Sequence, residues 1–575
     1  MKPVRERRWN MAIQENERVA KLARECRVSP LVALLLLNRG IEEPEDAGRF
    51  IVPALGSLHD PFIMKDMDKA VDRLRDAVLA GEAICVYGDY DADGVTSVAV
   101  LTGFLQEIGA RCFYYIPNRL EEGYGLSRNG VLNAAQEGAR VIVTADCGIS
   151  AFAEAELCAS MGIDLLISDH HTPAETLPPA LAVINPMRKD CPFPCACLAG
   201  VGVAFNLMVA LRGRLRESGY FSERTEPDLR EYLDLVALGT IADIVPLVGE
   251  NRVLVSNGLR RLSASRRVGI IALKKAAGIA ADVDSVAVGF RLAPRLNAAG
   301  RLDDASVAVE LLLTRDPEKA AALAAELNTG NEERQAVEQA ILNDVLRKIE
   351  TDASLKGRKS IVLASDSWHS GVIGIVASRV VELYHRPTIL IALQDGNGKG
   401  SGRGIPGFHL HDALRACSEH LLRFGGHKYA AGLTIDEETL AEFADRFDEV
   451  AAGLLSEEDL LPEIRIDAEL SPSEISMDTA QEIASLEPFG SGNPRPVFLL
   501  RGARVMDRAV MKGSHLRLKI LAGKTCLEAI GFSMAGRMPD SDLLDLVFSL
   551  EINTWNGARS VRLRLKDARP SAPVH

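Results

Sequence analysis

The sequence lacks any long hydrophobic run. Its longest purely aliphatic stretch is Leu31 to Leu37, whereas a membrane-spanning helix needs about 20 apolar residues. The beginning of the chain also lacks the apolar segment of a secretory signal, because charged residues such as Arg7, Arg8 and Glu15 occupy it. We therefore expect no membrane association and a cytoplasmic location.

Regularly spaced cysteines are missing as well. The ten cysteines in 575 residues form no framework, so reduced thiols are expected rather than disulfides. The one local cluster contains Cys191, Cys195 and Cys197, and its spacing matches neither a zinc knuckle nor a zinc ribbon. Buried thiols are the interpretation that this spacing favours over a metal site.

The chain has no excess of positive charge. Its formal net charge is −13 at pH 7, which by itself argues against a nucleic-acid partner, because phosphates attract Lys and Arg. The charge is unevenly distributed, however. Residues 501–575 contain 13 Lys or Arg against 7 Asp or Glu, a net charge of +6, so the preceding residues carry −19. This distribution indicates a basic C-terminal module on an acidic body, and part of the acidity can serve to bind cations.

Length and patterning predict a multidomain α/β protein. From Ala83 to Ile184, short apolar strands alternate with helices, which is typical of a parallel sheet covered by helices. Val236 to Leu238 and Ile361 to Ala364 are predicted as further strands. A long helix is expected from Asp316 to about Glu350, with a break at residues 328–330.

Beyond Pro462, alternating apolar and polar residues in His515 to Ile520 and Ser560 to Lys566 predict a small antiparallel barrel. The expected units are an N-terminal helical cap segment (1–78), a first α/β domain (79–315), a connector helix (316–357), a second α/β domain (358–458) and a barrel domain (463–575).

Acidic residues and histidines follow several of the predicted strands. They are Asp89, Asp91 and Asp93 in YGDYDADG, Asp146 in TADCG, His170 and His171 in SDHH, and Asp243 in GTIADIVPL. Each alone would be a turn residue or a helix cap, but the carboxyl ends of parallel strands meet at one edge of a sheet, so the groups together favour a site. A calcium loop fails as an alternative, because its twelfth position is Val100 instead of Glu.

Carboxylate and imidazole ligands without thiolates favour Mn²⁺ or Mg²⁺. Two such ions about 3.5–4 Å apart would stabilise a phosphoryl transfer, so hydrolysis of a phosphodiester is the predicted reaction. The sequence contains no P-loop motif, and nothing in it supports hydrolysis of a nucleoside triphosphate.

The four motifs resemble the metal-site motifs of the DHH phosphoesterase family, and their order and spacing are similar to its RecJ branch. Further similar segments are LHDPF, LAGVGVAF, RLNAAGR, SGRGIPGF and GGHKYAAG, which together extend over nearly the whole chain. The resemblance implies a parallel-sheet DHH domain that holds two divalent cations, a DHHA1 domain that binds substrate, and a C-terminal oligonucleotide-binding (OB) barrel.

By the resemblance, the metal ligands are Asp91, Asp93, Asp146, His170 and Asp243. Asp89, as a ligand or an orienting group, and His171, beside the scissile phosphate or behind the ligands, are assigned to catalysis. The expected substrate-binding residues are Arg295, Asn297, Arg301, Ser401, Arg403, Gly426 and His427. Residues 401–404 and 425–427 are expected to form glycine-flanked turns that hold phosphate, with ordinary turns as the alternative.

The implied activity is that of a metal-dependent exonuclease. It would degrade single-stranded DNA from the 5′ end and release 5′-mononucleotides in DNA repair and recombination. We expect a monomer that works with a helicase or a single-strand-binding protein. The alternatives are a phosphodiesterase for short oligoribonucleotides or cyclic dinucleotides, and a catalytically inactive replication scaffold. The intact ligand set argues against the scaffold.

Overall fold

The computed structural model describes residues 6–13, 15–119, 122–280, 282–302, 304–511, 513–555 and 558–571. Within these ranges the chain forms four β-sheets surrounded by helices. No helix in the described parts of the chain is long and apolar enough to cross a membrane.

The N-terminal segment is mainly helical. Its elements are β1 (Arg8–Met11), α1 (Asn16–Cys26), α2 (Pro30–Leu37), α3 (Pro44–Ile51) and α4 (Met67–Ala80). Helix α2 begins where the sequence provides both a cap and a preset backbone: the Ser29 hydroxyl accepts a hydrogen bond from the Val32 amide, and Pro30 occupies the first helical position.

The first α/β domain contains the predicted parallel sheet. Its elements begin with β2 (Ala83–Gly88), α5 (Ala92–Glu107), β3 (Cys112–Tyr115), α6 (Arg128–Gln136), β4 (Ala139–Ala145), α7 (Phe152–Ser160), β5 (Asp164–Ser168) and β6 (Ala182–Ile184). The strand order is β3-β2-β4-β5-β6, and all pairs are parallel. Strand β2 is buried along its whole length, which explains its continuous apolar sequence. The carboxyl ends of β2, β4 and β5 therefore lie side by side.

Helices complete this domain and connect it to the next. They are α8 (Gly200–Glu217), α9 (Leu233–Ala242), α10 (Gly249–Ser263), α11 (Val268–Ala276), α12 (Ser285–Ala287), α13 (Ala293–Leu302), α14 (Ser306–Leu313) and α15 (Pro317–Thr351), with a π-helical turn (Val288–Leu292) between α12 and α13.

Two expectations for this helical part are wrong. The stretch Val236 to Leu238 is part of α9, not a strand. Helix α9 packs against α5, α8 and α10, so it is buried on all sides and its sequence shows no helical period. Helix α15 also runs unbroken through residues 328–330. Asn328 donates to the Glu332 carboxylate and Thr329 to the Ala325 carbonyl, so both side chains are satisfied within the helix.

The second α/β domain contains a mixed sheet. Its elements are β7 (Ile361–Ser365), α16 (Ile373–Tyr384), β8 (Thr388–Gln394), β9 (Asn397–Arg403), α17 (Leu410–Arg415), β10 (Arg423–Gly426), β11 (Ala430–Asp436) and α18 (Leu440–Leu454). The strand order is β10-β11-β9-β8-β7, and the predicted strand at Ile361 to Ala364 is confirmed.

Residues 401–403 belong to strand β9, so the expected glycine turn is wrong for this segment. The glycines of β9 serve packing instead. A Cβ atom at Gly398 would lie 2.6 Å from the Ile391 side chain, and one at Gly400 would lie 2.6 Å from Leu433. Neighbouring strands thus fill the space that larger side chains would need.

The C-terminal elements form the predicted barrel. They are β12 (Glu463–Ile466), β13 (Ala468–Glu469), α19 (Met477–Ala484), β14 (Phe498–Met511), β15 (His515–Ala522), β16 (Thr525–Gly531), β17 (Leu543–Trp555) and β18 (Ala558–Pro570). Pairing of β14 with both β15 and β17 closes the strands into a ring. In β15 the alternating Leu516, Leu518 and Ile520 point into the core, as the period of two predicts.

The N-terminal segment and the barrel share one hydrophobic core. Leu35 and Phe50 from the N-terminal helices belong to the same buried cluster as Phe498 and Phe548 of the barrel. Strand β1 pairs in parallel with β12. The expectation of a purely helical N-terminal segment is therefore wrong at Arg8–Met11, because the partner strand lies about 450 residues away and leaves no local signal.

Candidate metal centre

The DYDADG segment forms the turn between β2 and α5. Asp91 caps α5, since its carboxylate accepts hydrogen bonds from the amides of Asp93 (2.9 Å) and Gly94 (3.0 Å). A Cβ atom at Gly94 would lie 2.5 Å from the Asp89 carbonyl oxygen, so the close approach of backbone requires glycine. The turn thereby places three carboxylates at the end of one strand.

Asp146 lies next to this turn at the end of β4. Its backbone has a φ of 67°, an unusual conformation for a residue other than glycine, and its amide donates to the Ser168 carbonyl at 3.0 Å. The start of α8 approaches closely: a Cβ atom at Gly200 would lie 2.4 Å from Asp146 Oδ1. Position 200 therefore excludes any larger residue while Asp146 keeps this orientation.

The beginning of α8 also holds Asp93. The Asp93 carboxylate accepts hydrogen bonds from the amides of Gly200 (2.7 Å) and Val201 (2.8 Å). These amides are free for this purpose because the first turn of a helix has no internal acceptors for them. The helix fixes the carboxylate and contributes favourable positive potential.

His170 lies at the centre of the converging carboxylates. Its Nε2 atom is 3.1 Å from Asp146 Oδ1, 3.6 Å from Asp243 Oδ2 and 3.9 Å from Asp93 Oδ2. Asp89, Asp91 and Asp146 also bring ligand atoms within 4.8 Å of one another. Asp146 thus belongs to two adjacent groups, and Asp243 enters from the end of α9 rather than from a strand.

These acidic groups carry strongly perturbed pKa values. Burial, followed by the charges of neighbouring carboxylates, raises the pKa of Asp93 to about 7 and that of Asp243 to about 9. The same causes raise the pKa values of Asp89 and Asp146 well above the usual range. Burial and the charge of His171 lower the pKa of His170 to about 4. Crowded carboxylates of this kind are stable in the ionised form only when cations neutralise them.

The donor set fits divalent cations. Asp89 Oδ1, Asp146 Oδ1 and His170 Nε2 are buried without a hydrogen-bond partner in the structure, and such atoms destabilise a protein unless a ligand satisfies them. The available donors are oxygens and imidazole nitrogen without thiolates, which suits Mn²⁺ or Mg²⁺.

The Asp169 carboxylate holds the His171 ring in place. Its Nδ1 atom lies 2.7 Å from Asp169 Oδ1, and the Asp169 carboxylate also accepts hydrogen bonds from the amides of Ile149, His170 and His171. Burial alone would lower the pKa of His171, but the pairing with Asp169 raises it to about 9. The other ring nitrogen, Nε2, lies 3.0 Å from the Tyr124 hydroxyl.

Two predicted arginines meet at the start of α16. Arg301 donates to the Gly371 carbonyl at 2.9 Å. A Cβ atom at Gly374 would lie 2.8 Å from Ser401 Oγ and 3.1 Å from a guanidinium nitrogen of Arg403. The structure therefore brings Arg301, Ser401 and Arg403 together across the two α/β domains. Burial and the charges of Arg119, Arg334 and Arg403 lower the pKa of Arg301 to about 10.

Other predicted substrate-binding residues are placed less directly. Asn297 accepts a hydrogen bond from the Ala92 amide at 2.7 Å, so it contacts the metal-site turn. Arg295 donates to Asn328 of the connector helix at 3.0 Å. Gly425 and Gly426 belong to strand β10 rather than to the expected glycine turn, and His427 begins the exposed connection to β11, where its amide donates to the Ala430 carbonyl. Ala430 pairs with Arg403, so this connection lies beside the end of β9.

Sequence reasoning missed several neighbours of the site. Arg119 places its guanidinium 5.1 Å from the centre of the Tyr90 ring, and its charge acts on Asp89. Tyr124 and Asp169 contact His171. The position of Asp169 directly before the two histidines was a usable signal, whereas no local pattern marks Arg119 or Tyr124.

The cysteine cluster lies outside this centre. Cys195 and Cys197 are free thiols whose sulfurs lie 3.7 Å apart. No group of potential metal ligands found among the described residues contains a cysteine.

Family models match three parts of the chain. The DHH family N-terminal domain matches residues 83–240, the DHHA1 domain matches residues 357–453, and the RecJ OB domain matches residues 466–567. Six of the seven side chains predicted for metal binding and catalysis lie within the first of these matches, and Asp243 follows it.

Individual relatives match over much greater lengths. The single-stranded-DNA-specific exonuclease RecJ of Dickeya dadantii is 42% identical over 557 residues, which cover 94% of this chain and 96% of the relative. Crystal structures of RecJ from Thermus thermophilus in complex with Mn²⁺ and with Mg²⁺ superpose with TM-scores of 0.83 and 0.77. Their sequences are 35% and 34% identical to this chain. Each match covers 98% of this chain, and the two matches cover 80% and 79% of the RecJ chains.

A parallel sheet with carboxylates and imidazole at its carboxyl edge, beside an arginine-lined domain junction, defines a divalent-cation-dependent phosphoesterase of the DHH class. The identity and coverage are high enough to go one step further. The chain belongs to the RecJ family of single-stranded-DNA-specific exonucleases.

Proposed function

We propose that this chain is a metal-dependent exonuclease that hydrolyses phosphodiester bonds of single-stranded DNA. The observation that carries the proposal is the convergence of Asp93, Asp146 and Asp243 on His170 Nε2 at the edge of the parallel sheet. Cleavage from the 5′ end with release of 5′-mononucleotides, and a role in DNA repair and recombination, are part of the same proposal through family membership.

Two divalent cations, Mn²⁺ or Mg²⁺, would be held by Asp91, Asp93, Asp146, His170 and Asp243. Asp89 adds a further carboxylate to the same group. When bound, the cations lower the pKa of water and neutralise charge on the scissile phosphate. The chain itself fixes its ligands through the first turn of α8 and through the cap of α5.

His171 is proposed to contact the scissile phosphate. The Asp169 carboxylate holds its Nδ1 atom, so the ring keeps one orientation. The side chain remains 35% exposed, so a substrate phosphate can approach the ring on its open side, next to the Tyr124 hydroxyl that lies 3.0 Å from Nε2.

Arg301, Ser401 and Arg403 are proposed to bind substrate phosphates. Arg403 is fixed by Ser378 and Ser401, whose hydroxyls lie 3.1 and 3.2 Å from its guanidinium. A fixed guanidinium loses little further freedom when it binds a phosphate in a bidentate manner. Gly426 and His427 flank the same strand end, while Asn297 and Arg295 are proposed to support the groove from α13.

The barrel would bind the strand that leads into the site. Its outward-facing Arg517 and Lys519 alternate with core residues along β15, and OB barrels bind single strands through basic and aromatic side chains. We propose the division into units at 1–78, 79–315, 316–357, 358–458 and 463–575, a monomeric state, and a helicase or single-strand-binding protein as partners.

Digestion of labelled oligonucleotides tests the activity. Single strands labelled at the 5′ or the 3′ end, and a matching duplex, are incubated with and without Mn²⁺, with Asp146→Ala as the control protein. We expect immediate release of the 5′ label as a mononucleotide from the single strand alone. Degradation of the duplex at an equal rate, or activity in the presence of a chelator, would contradict the proposal.

A further inference from the structure

A cavity lined by arginine side chains lies far from the metal centre. A cavity of about 590 Å³ opens beside the C-terminal half of α5, where Gly103 and Gln106 line it. Helix α5 starts at the metal-site turn and rises about 1.5 Å per residue, so Gln106 lies about 20 Å from Ala92 along the helix. The cavity is therefore separate from the groove between the two α/β domains.

Four arginines line this cavity. Arg261 and Arg267 are paired with carboxylates: Arg261 lies 2.7 Å from Glu231, and Arg267 lies 3.5 Å from Asp234. Arg266 and Arg315 are exposed, and neither makes a hydrogen bond or ion pair with any described residue. Two guanidinium groups are thus left available for a ligand.

Contacts among the side chains at the bottom of the cavity fix their positions. The Arg267 guanidinium lies 5.5 Å from the centre of the Tyr232 ring, and the Tyr232 hydroxyl donates to Glu107 at 2.7 Å. A Cβ atom at Gly103 would lie 3.2 Å from the same ring, so glycine permits this packing. Ser265 donates to Asp234 at 2.8 Å, which fixes the carboxylate that pairs with Arg267.

The charge of the cavity matches one class of ligand. Four arginines against Glu231 and Asp234 leave a net charge of +2 in a chain whose overall charge is −13. A phosphate monoester carries about −1.5 to −2 at neutral pH, whereas a single phosphodiester carries about −1. Guanidinium groups bind phosphate oxygens in a planar, bidentate geometry. The volume exceeds that of inorganic phosphate and leaves space for a nucleoside.

We infer that this arginine cavity binds a phosphate monoester, with a mononucleotide or inorganic phosphate as its source. The site does not depend on the metal centre. Binding is therefore measured without divalent cations, on the full chain, by calorimetric titration of 2′-deoxyadenosine 5′-monophosphate, inorganic phosphate and deoxyadenosine. Binding is assigned to the cavity from the signal that is lost when Arg266 and Arg315 are replaced, because the phosphate contacts proposed at Arg301, Ser401 and Arg403 stay intact. In that signal, tighter binding of the nucleotide than of phosphate would identify the nucleotide as the source, and equal binding would identify phosphate.

The double variant Arg266→Ala/Arg315→Ala removes the unpaired cations, and we expect it to bind the nucleotide about tenfold more weakly or worse. Arg111→Ala/Arg140→Ala is the matched control, since it removes two exposed arginines outside the cavity. Hydrogen exchange on the wild-type chain locates the site independently, because ligand should protect residues 261–268.

Unchanged affinity in the cavity variant, equal loss in the control, or absence of protection at residues 261–268 would overturn the inference. So would protection of residues 261–268 by a 5′-hydroxyl oligonucleotide, which contains only diesters, without protection by the mononucleotide. The readouts are taken without catalysis, so the metal-site proposal can fail while this inference stands, and the reverse.

Discussion

The edge of the sheet in the first α/β domain carries buried carboxylates, whereas strand β9 of the second domain carries an arginine. The two regions differ in how the surrounding residues satisfy these charges. Asp89 and Asp146 are 2% exposed and keep buried oxygens without hydrogen-bond partners. Arg403 is partly buried, and its Nε and Nη1 atoms already donate to Ser378, Ser401 and the Gly402 carbonyl. One region is incomplete without a cation, and the other holds its arginine in one orientation before an anion arrives.

This difference separates two tasks. Unsatisfied carboxylates create a strong local demand for divalent cations, which then control the chemistry. By our proposal, an arginine that is already held in one orientation binds substrate phosphate at low entropic cost, and its replacement should not disturb the metal centre. The two regions should therefore respond differently to substitution.

Asp146→Ala should have the largest effect. Asp146 belongs to two of the three groups of potential metal ligands, so we expect kcat to fall by about three orders of magnitude or more, equivalent to roughly 4 kcal/mol in the activation barrier. Calorimetric titration with Mn²⁺ should show weakened binding, while circular dichroism stays unchanged. Wild-type turnover at saturating Mn²⁺ would exclude Asp146 as a ligand.

Arg403→Ala should lower kcat/KM by roughly ten- to a hundredfold, because a charge-assisted hydrogen bond contributes about 1.5–3 kcal/mol. Mn²⁺ affinity should stay unchanged. Arg403→Lys is the matched variant, as it keeps the charge and loses the planar fork, and it should restore only part of the activity. Reduced Mn²⁺ affinity in either variant would refute the separation of tasks.

Asp243→Asn should stabilise the metal-free protein at alkaline pH. The pKa of Asp243 in the folded state is raised from 3.8 to about 9, so between these values the folded state retains a proton that the unfolded state releases. Stability therefore falls as the pH rises through this window, and asparagine removes the loss. Thermal melts in chelator should show a gain at pH 8, roughly 2–4 °C for each kcal/mol, and almost none near pH 4.

In the same variant, added Mn²⁺ should raise the melting temperature less than in the wild type. An Mn²⁺-dependent gain as large as that of the wild type would mean that Asp243 is not a ligand.

The smallest effect should come from the barrel. Arg517→Ala/Lys519→Ala should leave dinucleotide hydrolysis unchanged and reduce the salt dependence of binding to long single strands. The slope should fall by about 0.7 units for each DNA phosphate that the barrel no longer neutralises. Fluorescence anisotropy at several salt concentrations measures this slope. An unchanged slope would place the strand on another face of the barrel.

Local patterns predicted much of the fold and the metal centre. Strand-end aspartates and the paired histidines follow short buried strands, so both their elements and their convergence could be inferred. Helix α9 was missed because burial on all sides removes the period that distinguishes helix from strand. Strand β9 was missed because its glycines are required by Ile391 and Leu433, which are neighbours only in the folded chain.

Interactions between distant parts of the chain left no signal at all. The position of Arg301 beside Gly371 depends on how the two α/β domains pack, and that of Arg119 above Tyr90 depends on packing within the first domain. The core that the N-terminal helices share with the barrel also depends on contacts between distant parts of the chain. Such interactions are set by tertiary packing, which overrides local preference.

The shared core of the N-terminal helices and the barrel also sets an order for folding during synthesis. Phe50 precedes Ala468, the first barrel residue of that core, by 418 residues. At a translation rate of roughly 5–20 residues per second, the apolar faces of these helices stay without their barrel partners for on the order of 20–80 s. The core of the first α/β domain lies between Met64 and Leu327 and is translated completely within that interval. The N-terminal helices and the barrel therefore complete their shared core together, after the first α/β domain has been translated.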